Sequence, residues 1–183
     1  CESLVGNALA LDPAFRNEIK IITKCGICIQ SDKFPERQIQ FYDYSHDYIV
    51  GQVEKSLQNL RTDRIDLLLL HRPSYLLDPV EVARAFDKLH ADGKVLHFGV
   101  SNFYAHDFSM LQSYCSVPLI TNQIEVSPYC LEHMENGNLS YLLEKRIRPM
   151  AYSPLAWGKL VHPDCEKSHR VVAELDRVAR ELG

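Results

Sequence analysis

The sequence predicts an α/β protein built around a parallel sheet. Three observations carry that prediction. Apolar runs and amphipathic stretches alternate five times along the 183 residues, the pattern of repeated strand–helix units. Residues 67–70, in "IDLLLLHRP", are apolar without alternation, which suits a strand covered on both faces. Each of the five runs also ends in polar residues, where function gathers in such folds.

The elements follow in order. "CESLVGNAL" has helical spacing, with Leu4, Val5, Ala8 and Leu9 on one face. "EIKIITKCGI" is rich in isoleucine and predicts a strand. "SDKFPERQIQFYDYSHD" is polar, is broken by Pro35, and predicts a long loop of the kind that lines sites. Between positions 47 and 60, Ile49, Val50, Val53, Leu57 and Leu60 form an amphipathic stripe. The run at 65–70 is the second strand. Asp78 then predicts a helix cap, with Pro79 at the first helical position and Glu81 placed for a capping box. Val82, Phe86 and Leu89 form the inner face of that helix, and Gly93 stops it. "KVLHFGVSN" is a third strand, and "AHDFSMLQSYC" a helix through Phe108, Leu111 and Cys115. "LITNQIEVSP" is a strand, "NLSYLLEKR" a helix and "IRPMAYSPL" a strand. Val171, Val172, Leu175, Val178, Ala179 and Leu182 give a last amphipathic helix.

Composition excludes several classes. The net charge of −4 offers no electrostatic attraction for nucleic acid or an anionic membrane. No apolar run approaches the roughly 20 residues of a membrane span. Six scattered cysteines do not make a disulfide framework, so a reduced, cytoplasmic protein is expected. The first residue is Cys1 and the first methionine Met110, so a processed, trimmed or partial sequence is expected as well.

Two architectures fit five strand–helix units, an open doubly wound sheet and a (β/α)8 barrel, which typically has eight strands and about 250 residues. Either way the strand ends carry the chemistry. They are Lys24, His71, Ser101 with Asn102, Gln123 with Glu125, and Tyr152 with Ser153. Partial burial tunes a lysine, and a neutral histidine donates a hydrogen bond to a polarised carbonyl. Amides hold a carboxamide, and an aromatic face stacks on a flat ring. That set suits hydride transfer from a nicotinamide to a carbonyl.

"ITKCG", "IDLLLLHRP", "GKVLHFGVSNF", "TNQIEVSP" and "RPMAYSPLAWGKL" occur in this order. Together they resemble the aldo-keto reductases, in particular the bacterial-type general oxidoreductases, over essentially the whole of residues 1–183. The resemblance implies one segment of a (β/α)8 TIM barrel, roughly strands 3 to 7 with their helices, incomplete at both ends. It implies a nicotinamide cofactor, NADP with NAD as the other choice, and a small-molecule carbonyl substrate. Lys24 matches the family's catalytic lysine and His71 its catalytic histidine. Ser101, Asn102 and Gln123 match residues that bind the nicotinamide carboxamide, and Tyr152 the aromatic that stacks on the nicotinamide ring. Ser153, Leu155, Gly158, Lys159 and Leu160 match the loop around the pyrophosphate, and Trp157 in that loop is a candidate substrate contact. The family's aspartate and tyrosine, and its eighth strand, are not among the 183 residues. Residues 1–183 alone are therefore expected not to catalyse carbonyl reduction.

Two other readings compete. One is a non-catalytic, cofactor-binding or regulatory protein on the same scaffold. The other is a metal-dependent barrel hydrolase using His71 and Glu125. The pair Cys25 and Cys28 forms a C-x-x-C, but no second pair or spaced histidines complete a tetrahedral site. The pair also follows a strand, away from the helix N-terminus that activates thiols. No metal is expected, and Lys24 is the functional residue of that stretch.

Overall fold

The computed structural model describes residues 1–32 and 34–183. Its strands are β1 (Ile22–Cys25), β2 (Ile27–Cys28), β3 (Phe41–Tyr42), β4 (Ile65–Leu70), β5 (Val95–Ser101), β6 (Leu119–Glu125) and β7 (Met150–Tyr152). Its helices are α1 (Glu2–Leu11), α2 (His46–Leu60), α3 (Pro79–Ala91), α4 (Ala105–Tyr114), α5 (Glu132–Glu135), α6 (Asn138–Glu144) and α7 (Glu166–Leu182). Five strands form one sheet in the order β1-β4-β5-β6-β7, and the pairs β1–β4, β4–β5 and β6–β7 are parallel. The chain divides into two compact units, Cys1–Asn122 and Gln123–Gly183, so β6 contributes to both.

In the first unit, every residue of β4 is buried, as the unbroken apolar run requires. The pairing register sorts its neighbours into two faces, because side chains alternate along a strand. Ile22 pairs with Leu67 and Leu67 with His97, while Lys24 pairs with Leu69 and Leu69 with Gly99. His71 and Ser101 lie two residues further along the same face. The opposite face carries Leu68, Leu70, Phe98 and Val100, all essentially without solvent exposure. Helices cover that side. Val82, Phe86 and Leu89 of α3 are fully buried, and Phe86 stacks on Phe98 with ring centroids 4.2 Å apart. Ile49, Val53, Leu57 and Leu60 of α2 are buried as their spacing predicts. Burial of each such side chain stabilises by about 1.5–3 kcal/mol.

Four expectations need correction. Of the apolar stripe of α1 only Leu9 is buried: Leu4 is 75% and Val5 43% exposed, and Gly6, outside the stripe, is buried beside Leu9. The reason is close helix contact. A Cβ at Gly6 would lie 2.1 Å from the Asn59 carbonyl oxygen of α2, so only glycine permits the approach. Asp78 caps α3 by accepting from Val80 N–H at 2.9 Å, but Glu81 does not reach back to complete a box. Its carboxylate accepts from His46 N–H at 3.1 Å, at the start of α2, and pairs with Arg84 at 2.8 Å. The polar stretch at 31–47 is not wholly loop. Phe41 and Tyr42 return to pair antiparallel with Cys28 and Ile27.

In the second unit, Gln123 pairs with Met150 and Glu125 with Tyr152. Leu142 anchors α6 with no exposure. The short helix α5 is an addition to the predicted set. Its buried His133 meets Asn138 at 3.0 Å. The fourth correction is α7, which forms as predicted but keeps only Ser168 buried, while Leu175, Val178 and Leu182 are exposed. No helix among the described residues is long and apolar enough to cross a membrane.

Candidate active site

Lys24 and His71 are brought together by the ladder between β1 and β4. Lys24 pairs with Leu69, and His71 N–H donates to the Cys25 carbonyl at 3.0 Å, extending the ladder one residue past β4. Both side chains therefore rise from one face of adjacent strands, near their carboxyl ends. Lys24 is exposed on that face and His71 half-buried. Partial burial lowers the Lys24 pKa from its ordinary value. Burial lowers the His71 pKa first, and the charges of Lys24 and Arg72 lower it further. His71 is accordingly neutral at neutral pH and carries one ring N–H to donate.

The end of β5 shares that face. Ser101 is buried, and Asn102 Nδ2 donates to Ser101 Oγ at 3.0 Å. Asn102 has φ +59°, the left-handed region that asparagine tolerates better than most residues. Its turn is held from β6: Asn122, fully buried, donates from Nδ2 to the Phe103 carbonyl at 2.6 Å. Gly99 makes the close approach possible, since a Cβ there would lie 2.7 Å from the Thr121 carbonyl oxygen.

The remaining candidates, Gln123, Tyr152, Ser153, Leu155, Gly158, Lys159 and Leu160, belong to the second unit. Tyr152 ends β7 half-buried, with Trp157 edge-on at 6.1 Å and itself 73% exposed. The loop that follows is conformationally costly. Ser153, Ala156, Trp157 and Gly158 all have positive φ, between 50° and 90°, at about 1–2 kcal/mol for each non-glycine residue. Local bonds hold it: Ala156 N–H to Ser153 O at 2.8 Å, Gly158 N–H to Leu155 O at 3.0 Å, and Lys159 N–H to Ala156 O at 3.0 Å. These bonds, with Leu160 N–H to Leu155 O at 3.4 Å, occupy the N–H groups of Ala156, Gly158, Lys159 and Leu160, so the attraction of this loop for an anion rests on the Lys159 ammonium. Lys159 Nζ lies 3.6 Å from Asp164 Oδ1 and 5.2 Å from the Tyr129 ring. Asp164, then Tyr129, raise its pKa, so an anion arriving here competes with Asp164 for the ammonium.

The cysteine pair is buried on both sides. Burial pushes the Cys25 thiol up to about 12, and Cys28 is 1% exposed. Among the described residues no group of three or more His, Cys, Asp or Glu is placed to hold a metal ion.

Sequence reasoning missed Tyr44. It sits in the stretch predicted as loop, yet is 5% exposed, with its hydroxyl on the backbone of Arg72. Nothing periodic marks it, because its partner lies 28 positions away. A glycine directly after a strand run, Gly26, is the one local hint of a close neighbour.

Comparison with known proteins agrees with this architecture. The family model described as "Aldo/keto reductase family" matches residues 1–181. Over 183 residues the chain is 51% identical to the uncharacterized oxidoreductase YcsN of Bacillus subtilis, covering 100% of this chain and 61% of that protein. It is 43% identical to a 6-dehydroglucose reductase of Agrobacterium fabrum, covering 100% of this chain and 60% of that protein. Among solved structures, the glycerol dehydrogenase of Gluconobacter oxydans superposes with a TM-score of 0.76 at 32% identity, over 90% of this chain and 48% of its own. The chain thus spans about three-fifths of the length of these curated relatives. The sheet order and these neighbours bear out the expected partial barrel.

Proposed function

The chain belongs to the aldo/keto reductase family, and from that premise we propose that it carries catalytic and cofactor-binding residues of a nicotinamide-dependent carbonyl reductase. The observation that carries the reading is the placement of Lys24 and His71 on one face of adjacent parallel strands, with burial lowering both pKa values. Two groups of residues support a nicotinamide, each within its own unit. In the first, the Ser101 hydroxyl and the Asn102 amide match a carboxamide; in the second, so does the Gln123 amide, while Tyr152 offers an aromatic face and Lys159 a positive charge for phosphate. Bound, the reduced nicotinamide supplies the hydride; NADPH is the proposed form.

The alkoxide left by hydride addition takes its proton from a donor outside residues 1–183, the tyrosine that the family resemblance implies, and two residues of this chain act on the carbonyl beside it. His71, neutral, donates its ring N–H to the carbonyl oxygen and orients it for attack. Lys24 places a positive charge where negative charge develops on that oxygen or on the proton donor beside it. The substrate is a small aldehyde or ketone. The relative named 6-dehydroglucose reductase makes a sugar aldehyde the first compound to assay.

The test uses the complete gene product that carries this sequence. With cofactor deuterated at the transferring position, reduction of an aldehyde should place deuterium on the carbinol carbon. NADH run in parallel tests the choice of phosphorylated cofactor. Failure to oxidise either reduced cofactor with sugar, aliphatic and aromatic aldehydes and ketones would contradict the proposal.

A further inference from the structure

We propose that Tyr44 is a positioning residue: its hydroxyl fixes the backbone that follows His71, and so sets where His71 stands relative to Lys24. The inference rests on the assignment of those two residues above. The ladder between β1 and β4 makes its last bond at His71 N–H. The strand itself ends one residue earlier, at Leu70, and Pro73 has no N–H to offer. The Tyr44 hydroxyl takes over. It accepts from Arg72 N–H at 3.2 Å and donates to the Arg72 carbonyl at 2.5 Å. Arg72 N–H belongs to the peptide unit that His71 itself enters, so one side-chain oxygen restrains the backbone on the carboxyl side of His71.

The same tyrosine is anchored to the strand that carries Lys24. Gly26, two residues after Lys24, has φ +108°, and a Cβ there would lie 2.0 Å from Tyr44 Cε1 and 2.7 Å from its hydroxyl. The ring therefore occupies the place a side chain would take. Asp43 N–H donates to the Gly26 carbonyl at 2.9 Å, and Tyr42 stacks on Tyr44 at 6.3 Å. Residues 42–44 thus bridge the two strand ends that bear the candidate pair. Burial raises the phenol pKa, so the hydroxyl keeps the proton it donates.

Position and stability separate at this residue. Both Tyr44–Arg72 bonds are only part-buried, so water that enters when the hydroxyl is removed can take up the Arg72 N–H and carbonyl. Water does not fix their direction. The loss falls on geometry, and small displacements of catalytic groups are costly in rate.

The test is Tyr44→Phe in the complete gene product, alone and in a His71→Ala background, beside Lys24→Met and His71→Ala controls. Tyr44→Phe should lower kcat for aldehyde reduction about tenfold, well within the range for misplaced groups, and leave the Kd for reduced cofactor unchanged. In the His71→Ala background the same substitution should leave kcat unchanged, because the group it positions is gone. An unchanged kcat for Tyr44→Phe overturns the proposal. So does an equal loss in both backgrounds, or a loss that follows only the folded fraction in a melting curve. Tyr44→Leu, which vacates the seat against Gly26, should lose kcat at least as far, and wild-type kcat in that variant also overturns it. If Lys24→Met and His71→Ala both keep wild-type kcat, the assignment of the pair fails, and this inference with it.

Discussion

Removing Arg16 should cost the protein about 3–5 kcal/mol of stability, the usual loss when one partner of a buried ion pair is deleted. Arg16 is 7% exposed and satisfies groups in every direction. Its Nη2 donates to Asp66 Oδ2 at 2.8 Å and to the Arg64 carbonyl at 2.8 Å, its Nη1 to the Ile19 carbonyl at 3.2 Å, and its Nε to Thr62 Oγ1 at 2.8 Å. Asp66, 5% exposed, also accepts from Ile21 N–H at 3.0 Å. Lys20 reaches Asp66 at 3.4 Å, but its side chain is 78% exposed, so solvent screens it and it replaces little of what Arg16 provides. Arg16→Met would leave the Asp66 charge buried with one backbone donor and an exposed lysine. Burial raises the Asp66 pKa, but the Ile21 N–H and the Arg16 guanidinium outweigh it and hold the carboxyl below its ordinary value. Its folded pKa is thus depressed. The stability it contributes is present above the unfolded pKa of about 3.9 and is lost as pH falls through the lower folded value. The gap between wild type and Arg16→Met should therefore narrow below about pH 4. Asp66 lies five residues before His71, about 16 Å along an extended strand, so kcat of the folded variant should not change. Urea unfolding at pH 7 and at decreasing pH, with kcat measured in parallel, tests all three statements. A loss under about 1 kcal/mol, a gap that widens in acid, or a fall in kcat would refute the reasoning.

Two further outcomes are expected. Gly6→Ala should lower Tm despite the better helix propensity of alanine, because its Cβ would sit 2.1 Å from Asn59 O and 2.8 Å from Leu60 C, both backbone atoms; overpacking of this kind costs about 1–3 kcal/mol, and a raised Tm would contradict the account of the α1–α2 contact. Tyr152→Ala should weaken reduced-cofactor binding by about 1–3 kcal/mol, the scale of a lost aromatic contact, and fluorescence titration with unchanged Kd would remove Tyr152 from the site.

What could be read from the sequence was what repeats or runs. The unbroken apolar run in β4 is buried throughout, the periodic stripe of α2 is buried except at the half-buried Val50, and that of α3 is buried where its period places it. Strand ends were legible for the same reason: a polar residue after an apolar run marks where Lys24, His71 and Ser101 emerge. Non-local contacts left no such trace. The role of Gly6 depends on the backbone of Asn59, and that of Tyr44 on a carbonyl 28 positions away. Glu81 looked placed to close a capping box on its own helix, but its carboxylate accepts from His46 N–H on α2, 35 positions away. The stripe of α1 misled because apolar residues mark a face without saying which element covers it. In the candidate site, the residues of the pair were legible from the resemblance, whereas the strut behind His71 required three-dimensional neighbours.

The most direct measurement of the central claim is the rate of hydride transfer in the complete gene product with Lys24 changed to methionine, which keeps the length of the side chain and removes its charge. A stopped-flow single turnover, with reduced cofactor pre-bound and an aldehyde in excess, isolates the chemical step from product release. If Lys24 stabilises charge in the transition state, the variant should bind cofactor normally and transfer hydride about a hundredfold or more slowly. Hydride transfer at the wild-type rate by Lys24→Met would contradict the account.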